Sequence, residues 1–323
     1  MYEQLRLKEL RHAYSVQGWA MLIYYGIMNV VVMAFMFVEI FAQSFSMALS
    51  GQMASVEKIT RSVTSNAWGY FVAIAIGLVI LLLWKKPKFC TQTMFKKGKP
   101  MTVGSFFAIF VVFMSAQLIF QLLAILLELL FNRFGLSLTE MMESASGSAD
   151  SLSMFLYVGI GAPIAEEILF RGLVLRSIEP YGKKFAIFAS ALMFGLYHGN
   201  LIQIPFALAV GLVLGYVTVE YNIVWAMVLH MFNNLILSDT MTRLASYLPA
   251  PWNDLLIWLF IIVCSLAAVV VILVNLRRIK AWFRGYRDDP MCAKAFFSAP
   301  GIITLIAVLG VMTVISMVSM MMV

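Results

Sequence analysis

Charge is what this sequence has least of. Of its 323 residues only 12% are Asp, Glu, Lys or Arg, whereas 62% are apolar; soluble domains carry about 25% charged and about 45–50% apolar residues. No soluble fold of this length hides so much apolar surface, and the mean hydropathy of +0.92 agrees. No interval between apolar runs is long enough for a folded extramembrane domain. That excludes a receptor with an ectodomain, an ATP-driven pump and a nucleic-acid binder. No Gly-rich phosphate loop is present, so neither a nucleotide nor a nucleic acid is expected as a partner. Cysteine is scarce too: Cys90 and Cys292 fall between apolar runs and Cys264 within one, which does not make a disulfide framework.

What is there is apolar length. A membrane-spanning helix needs about 20 mostly apolar residues, and nine runs stand out: 19–41, 67–84, 103–131, 152–175, 185–198, 201–219, 223–237, 254–276 and 301–322. The fifth and seventh are short, and short spans beside polar residues are where membrane proteins keep their sites. The expected fold is an all-α polytopic membrane protein of nine transmembrane helices. Basic residues give its orientation. Eighteen of the 23 Lys and Arg fall on 1–18, 85–102, 176–184 and 277–300. Four (Lys58, Arg61, Arg133, Arg243) fall on the opposite segments, and Arg171 lies within a span. The N-terminus is therefore expected inside and the C-terminus outside. The first run exceeds the 7–15 residues, roughly, of a signal-peptide core and is read as a retained anchor.

The organisation expected is an interfacial amphipathic N-terminus (1–18), accessory helices (19–131), a polar, information-rich core of four spans (152–237), and accessory helices again (254–323). Residues 132–151, with Ser144-Ala145-Ser146-Gly147-Ser148, read as a flexible outside loop. Residues 85–102 read as a Lys-rich hinge with Pro87 and Pro100. Gly211-Leu212-Val213-Leu214-Gly215 offers a small-residue face for close helix packing.

Charges inside spans cost about 2.5–3.5 kcal/mol each on insertion scales, so each needs a reason. The fourth span reads Gly161-Ala162-Pro163-Ile164-Ala165-Glu166-Glu167-Ile168-Leu169-Phe170-Arg171. Glu167 and Arg171 are four apart with the acid first, the favourable order for an ion pair on one helix face. Glu166 points about 100° away and must face another helix or a water-filled cavity. A lone buried carboxylate is poised to move protons. Of the three histidines, His198 ends the fifth span in Phe194-Gly195-Leu196-Tyr197-His198, and His230 shares a helix face with Asn234. One carboxylate and two imidazoles are the ingredients of an open zinc site on Glu166, His198 and His230. They equally suit a metal-free site in which Glu166 takes a proton from water while imidazole and the Asn234 amide stabilise the oxyanion. Both amount to water attacking a peptide carbonyl, and the sequence does not choose between them.

The order Glu166-Glu167-x-x-x-Arg171, Phe194-x-x-x-His198, His230-x-x-x-Asn234, each on its own span, resembles the CAAX protease and bacteriocin-processing family, intramembrane endopeptidases related to the Ras-converting CAAX enzyme. The resemblance covers 152–237. It implies that Glu166 activates water, that His198 and His230 position it or bind a metal, that Asn234 assists the oxyanion, and that Glu167 with Arg171 is mainly structural. It also implies a membrane-proximal peptide or protein substrate and a bacterial plasma membrane. Other intramembrane proteases are poorly supported: there is no His-Glu-x-x-His, no Gly-x-Ser-Gly and no aspartate well inside a span. Two other readings compete. One is a non-catalytic scaffold or immunity protein of the same fold. The other is an ion-coupled transporter using Glu39, Glu128, Gln117 and Gln121, against which the lack of an internal repeat weighs.

Overall fold

The computed structural model describes residues 2–51, 55–135, 151–235, 244, 247–249 and 251–321, and all regular elements among them are helical. The loop read as flexible, 132–151, lies mostly outside the described residues, as does the end of the seventh apolar run.

Helix α1 (Tyr2–Leu49) runs unbroken for 48 residues, about 72 Å at 1.5 Å per residue, more than twice the ~30 Å of a hydrocarbon core. Residues 2–18 are its first turns rather than a separate element. There Leu10 and Tyr14 are buried, and the Tyr14 ring packs on Tyr181, Phe185 and Phe296. Further along, Val30, Phe37 and Phe41 face outward, as lipid-facing side chains do. Helices α2 (Val56–Thr64) and α3 (Trp68–Trp84) meet at a 42° bend. Helix α4 (Val103–Asn132) starts where Thr102 Oγ1 accepts from the Ser105 amide. Helix α5 (Leu152–Tyr181) starts where Ser151 Oγ accepts from the Met154 amide. Then come α6 (Lys183–Tyr197), α7 (Gln203–Glu220) and α8 (Ile223–Asn233), the last capped by the Asn222 side chain at the Trp225 amide. Such caps satisfy the orphan amides of a first turn. Helices α9 (Trp252–Val274), α10 (Leu276–Gly285), α11 (Cys292–Phe297) and α12 (Pro300–Met321) complete the chain.

The described parts of all nine apolar runs fall on helices, but they are not equal. Among the described residues six helices (α1, α4, α5, α7, α9, α12) are long and apolar enough to cross a membrane, or seven if bent α2–α3 is one span. Helix α6 has 15 residues and α8 has 11. Most of α6 is buried against protein, where a helix need not match the bilayer alone.

Close approach organises the interior. Gly211 and Gly215 of α7 lie against Ala191 and Ile187 of α6; a side chain at Gly215 would collide, and one at Gly211 would be tightly crowded. Gly18 of α1 and Gly301 of α12 meet backbone to backbone. Polar contacts then divide the bundle by ends. At one end Arg6 Nε donates to Asp289 Oδ2 (2.7 Å), Arg11 to the Ser298 carbonyl, Lys85 Nζ to Ser177 Oγ (3.0 Å) and Lys99 Nζ to Glu220 Oε2 (3.1 Å). The Arg6 guanidinium holds the Asp289 carboxyl below the usual carboxylate range. At the other end Asn66 Nδ2 donates to Glu39 Oε1 (2.7 Å), Gln43 to Ser62, and Ser151 Oγ to the Ser65 carbonyl.

The Gly18–Gly301 crossing leaves no room for a Cβ. Gly301→Val is expected to lower stability by about 1–3 kcal/mol or more through overpacking, read as a lower melting temperature in detergent. An unchanged melting temperature contradicts this crossing.

Candidate active site

The site is built on α5, and a proline shapes it. The Ala162 amide bonds the Tyr157 carbonyl, five residues back, so the turns here are wider than α-helical. In that register the next donor, position 163, serves the Val158 carbonyl, but Pro163 has no N–H. A carbonyl stranded at membrane depth must find another donor. Asn234 supplies it: its Nδ2 donates to Val158 O at 2.8 Å. Asn233 Nδ2 in turn donates to Asn234 Oδ1 (3.0 Å), and Gln117 Nε2 of α4 donates to Asn233 Oδ1 (3.0 Å). The widened turns resume from Glu167 to Leu175. Such stretches recur at functional sites, and they put fewer degrees between successive side chains than an α-helix does.

That widening lets both glutamates address His230. Glu167 Oε1 lies 3.0 Å from His230 Nδ1 and 3.1 Å from Arg171 Nη1, with Glu167 and Arg171 both fully buried. An ionised carboxylate only accepts, so His230 carries its hydrogen on Nδ1 and presents Nε2 to Glu166, whose Oε2 is 3.7 Å away. That is too long for a direct hydrogen bond, and the two groups address the same space. The Glu166 side chain is 28% exposed where Glu167 is 0%, so the adjacent carboxylates occupy different environments. Arg171 is held from two further sides. Its Nη2 donates to the Gly211 carbonyl at 3.2 Å, and its guanidinium sits 4.4 Å over the Phe194 ring, a cation–π contact strengthened by desolvation.

Phe194 is the hinge pin of the cluster. Its ring stands edge-on to His198 (4.7 Å between centroids) and to His230 (5.7 Å). Its carbonyl accepts from His198 Nδ1 at 2.9 Å. The carbonyl fixes the tautomer, and His198 is left with Nε2 as its lone-pair nitrogen.

The structure therefore brings Glu166, Glu167, Arg171, His198 and His230 together, while Asn234, one turn beyond His230, reaches the α5 backbone. Sequence reasoning gave Phe194 no role and saw in Gly211 only close packing. The Phe-x-x-x-His spacing could have flagged the first, because residues four apart share a helix face. Among the described residues no three His, Cys, Asp or Glu side chains are set to hold a metal ion. Glu166, His198 and His230, the residues read as a zinc set, are not drawn into such a group here.

Asn234→Ala is expected to strand the Val158 carbonyl and to destabilise the fold by about 1–3 kcal/mol, read by thermal unfolding. A fully stable Asn234→Ala chain contradicts this role.

No curated protein and no solved structure matches the chain. A family match does exist, and it falls on this cluster: residues 148–236, which hold Glu166, Glu167, Arg171, Phe194, His198, Gly211, His230 and Asn234, match the protease family described as type II CAAX prenyl endopeptidase Rce1-like.

Proposed function

We propose that this chain is an intramembrane endopeptidase in which Glu166 activates the attacking water. The observation that carries the reading is the division of labour around His230. Its Nδ1 is committed to buried, Arg171-paired Glu167, while its Nε2 and the partly exposed Glu166 face one space. Carboxylates pushed into different environments take different roles. Glu166 accepts a proton from water as the water oxygen bonds to the peptide carbonyl carbon and the carbonyl electron pair moves onto oxygen. It then returns that proton to the leaving amine as the C–N bond breaks. Imidazole Nε2 atoms orient the water. Glu167 and Arg171 keep His230 in one tautomer and one orientation. Asn234 contributes by fixing the wide turn that precedes Glu166.

The transport reading draws less support, because Glu39 is bonded by Asn66 and Gln117 is bonded to Asn233, tying both into interhelix contacts. A scaffold would have no need for an intact charged cluster at membrane depth. For the topology, we propose nine inserted helices with the N-terminus inside and the C-terminus outside. Three observations support it. Segments 1–18, 85–102, 176–184 and 277–300 meet at one end of the bundle. Arg176 there donates to the carbonyls of Lys96 (3.2 Å) and Thr218 (2.7 Å). Lys184 donates to the Phe283 carbonyl at the same end.

Three measurements test these readings. Purified chain is incubated with farnesylated and unprenylated peptides ending in Cys-aliphatic-aliphatic-X and with membrane-proximal peptides, and products are read by mass spectrometry. Wild type is expected to cleave, and Glu166→Gln to fold normally and cleave nothing. An active Glu166→Gln chain overturns the assignment. For the metal question, full cleavage after chelation is expected; stoichiometric zinc whose removal abolishes cleavage would restore zinc to Glu166, His198 and His230. For topology, cysteines placed at Lys97 and at Ser55 are expected to label from opposite membrane sides, and labelling from one side contradicts the orientation.

A further inference from the structure

Gln117 lies near the middle of α4, an accessory helix outside residues 148–236. A primary amide in mid-span needs a bonding partner, and this one begins a chain. Gln117 Nε2 donates to Asn233 Oδ1 (3.0 Å), Asn233 Nδ2 to Asn234 Oδ1 (3.0 Å), and Asn234 Nδ2 to the Val158 carbonyl (2.8 Å). The chain joins α4, the end of α8 and α5, and it has a direction. Each side-chain amide donates from one side and accepts on the other. The Val158 carbonyl only accepts, so Asn234 must turn its NH2 toward it. Asn233 must then turn its own NH2 toward Asn234 Oδ1. That leaves an oxygen of Asn233 facing α4, where a donor is needed, and Gln117 is that donor. Aligned amides also polarise one another, which strengthens each bond.

The end of the chain bears on the backbone beneath the reactive carboxylate. Val158 belongs to the wide turn Tyr157–Gly161, which joins two stretches of α5 that are fixed independently. Before it, Ser153 Oγ accepts from the Ala67 amide (3.2 Å) and Ser151 Oγ donates to the Ser65 carbonyl. After it, Arg171 pairs with Glu167 and donates to the Gly211 carbonyl. Glu166 lies between these anchors. A five-residue register holds one residue more than an α-turn, so its loss would rotate one stretch against the other by about 100°, the step per residue of an α-helix. Within the turn, Gly159 and Gly161 lie against the Leu235 and Phe71 side chains.

We propose that Gln117 is a positioning residue of the active site: it sets the direction of the amide chain that holds the wide turn, and through that turn the place of Glu166. The inference rests on the endopeptidase reading above and adds to it a support from an accessory helix. Gln117 touches no reacting atom. Its Nε2 hydrogen keeps Asn233 and Asn234 from turning over. A reversed chain would set Asn234 Oδ1 against the Val158 carbonyl, two acceptors facing each other.

The test measures kcat, KM and melting temperature on the peptide that wild type cleaves fastest from the farnesylated, unprenylated and membrane-proximal panel, with rates taken per folded protein. Gln117→Met keeps the length of the side chain and removes the donor. Gln117→Glu keeps its shape and, ionised, only accepts. Both are expected to lower kcat by about 10- to 10²-fold, the scale of a small misplacement of reacting groups, with KM near wild type. Gln121→Met, one turn further along α4, is expected to behave as wild type. In an Asn234→Ala background, where the chain is already cut, Gln117→Met is expected to cost nothing more in kcat. Unchanged turnover in Gln117→Met overturns the inference and leaves the endopeptidase reading standing. So do losses that multiply in the Gln117→Met, Asn234→Ala double variant. If neither Gln117 variant folds, Gln117 is a residue of assembly and the inference falls. A wild type that cleaves no peptide in the panel overturns both readings.

Discussion

A guanidinium enclosed in a membrane bundle must be neutralised, and the rest of this site follows from how Arg171 is. It cannot be deprotonated to escape the cost, since arginine stays charged in proteins, and it has no access to water. Three elements converge on it: the Glu167 carboxylate one turn back, the Gly211 carbonyl from α7 and the Phe194 ring from α6. Each constrains the helix that carries it. Gly211 leaves room for the guanidinium, which a Cβ there would crowd together with Ala191. Phe194 must present its face to the cation, which turns its edge-on contacts to His198 and His230. Glu167 has a second oxygen lone-pair direction to offer, and His230 takes it.

Function then emerges from the leftover valence. With the Arg171 charge and His230 Nδ1 both paired to Glu167, the adjacent Glu166 has neither as a close partner and is the more exposed of the two carboxylates. Two carboxylates one residue apart would ordinarily diverge across an α-helix. The widened turns caused in part by Pro163 keep them around a single imidazole. The same widening orphans the Val158 carbonyl, and Asn234 repairs it. The residue that a motif marks as catalytic here is bound up with the backbone geometry that makes the motif workable.

Much of this was legible in the sequence, because membrane physics makes buried charge conspicuous. Glu167 and Arg171 declared their pairing by spacing and by depth, and two of only three histidines sat in the same four helices. The all-helical architecture among the described residues was legible for the same reason. What was not legible depended on backbone irregularity or long-range packing. Helical periodicity assumes regular turns, so it put Glu166 on a separate face and could not foresee its sharing of His230 with Glu167. Asn234 read as a polar side chain aimed into the site, since nothing in the sequence says that Pro163 lies in a five-residue register. Residues 1–18 read as an amphipathic N-terminus, but nothing in them says that Tyr14 lies among Tyr181, Phe185 and Phe296.

Arg171 and Glu167 are expected to behave as a structural pair, each intolerable without the other and the two dispensable together. A double-mutant cycle measures this directly: melting free energies of wild type, Arg171→Leu, Glu167→Leu and the double variant in the same detergent. Each single change is expected to cost about 3–5 kcal/mol because it strands a buried charge, and the double variant far less than the sum. Strictly additive losses, or a single variant as stable as wild type, would contradict the account and free Glu167 to be considered as the reactive carboxylate.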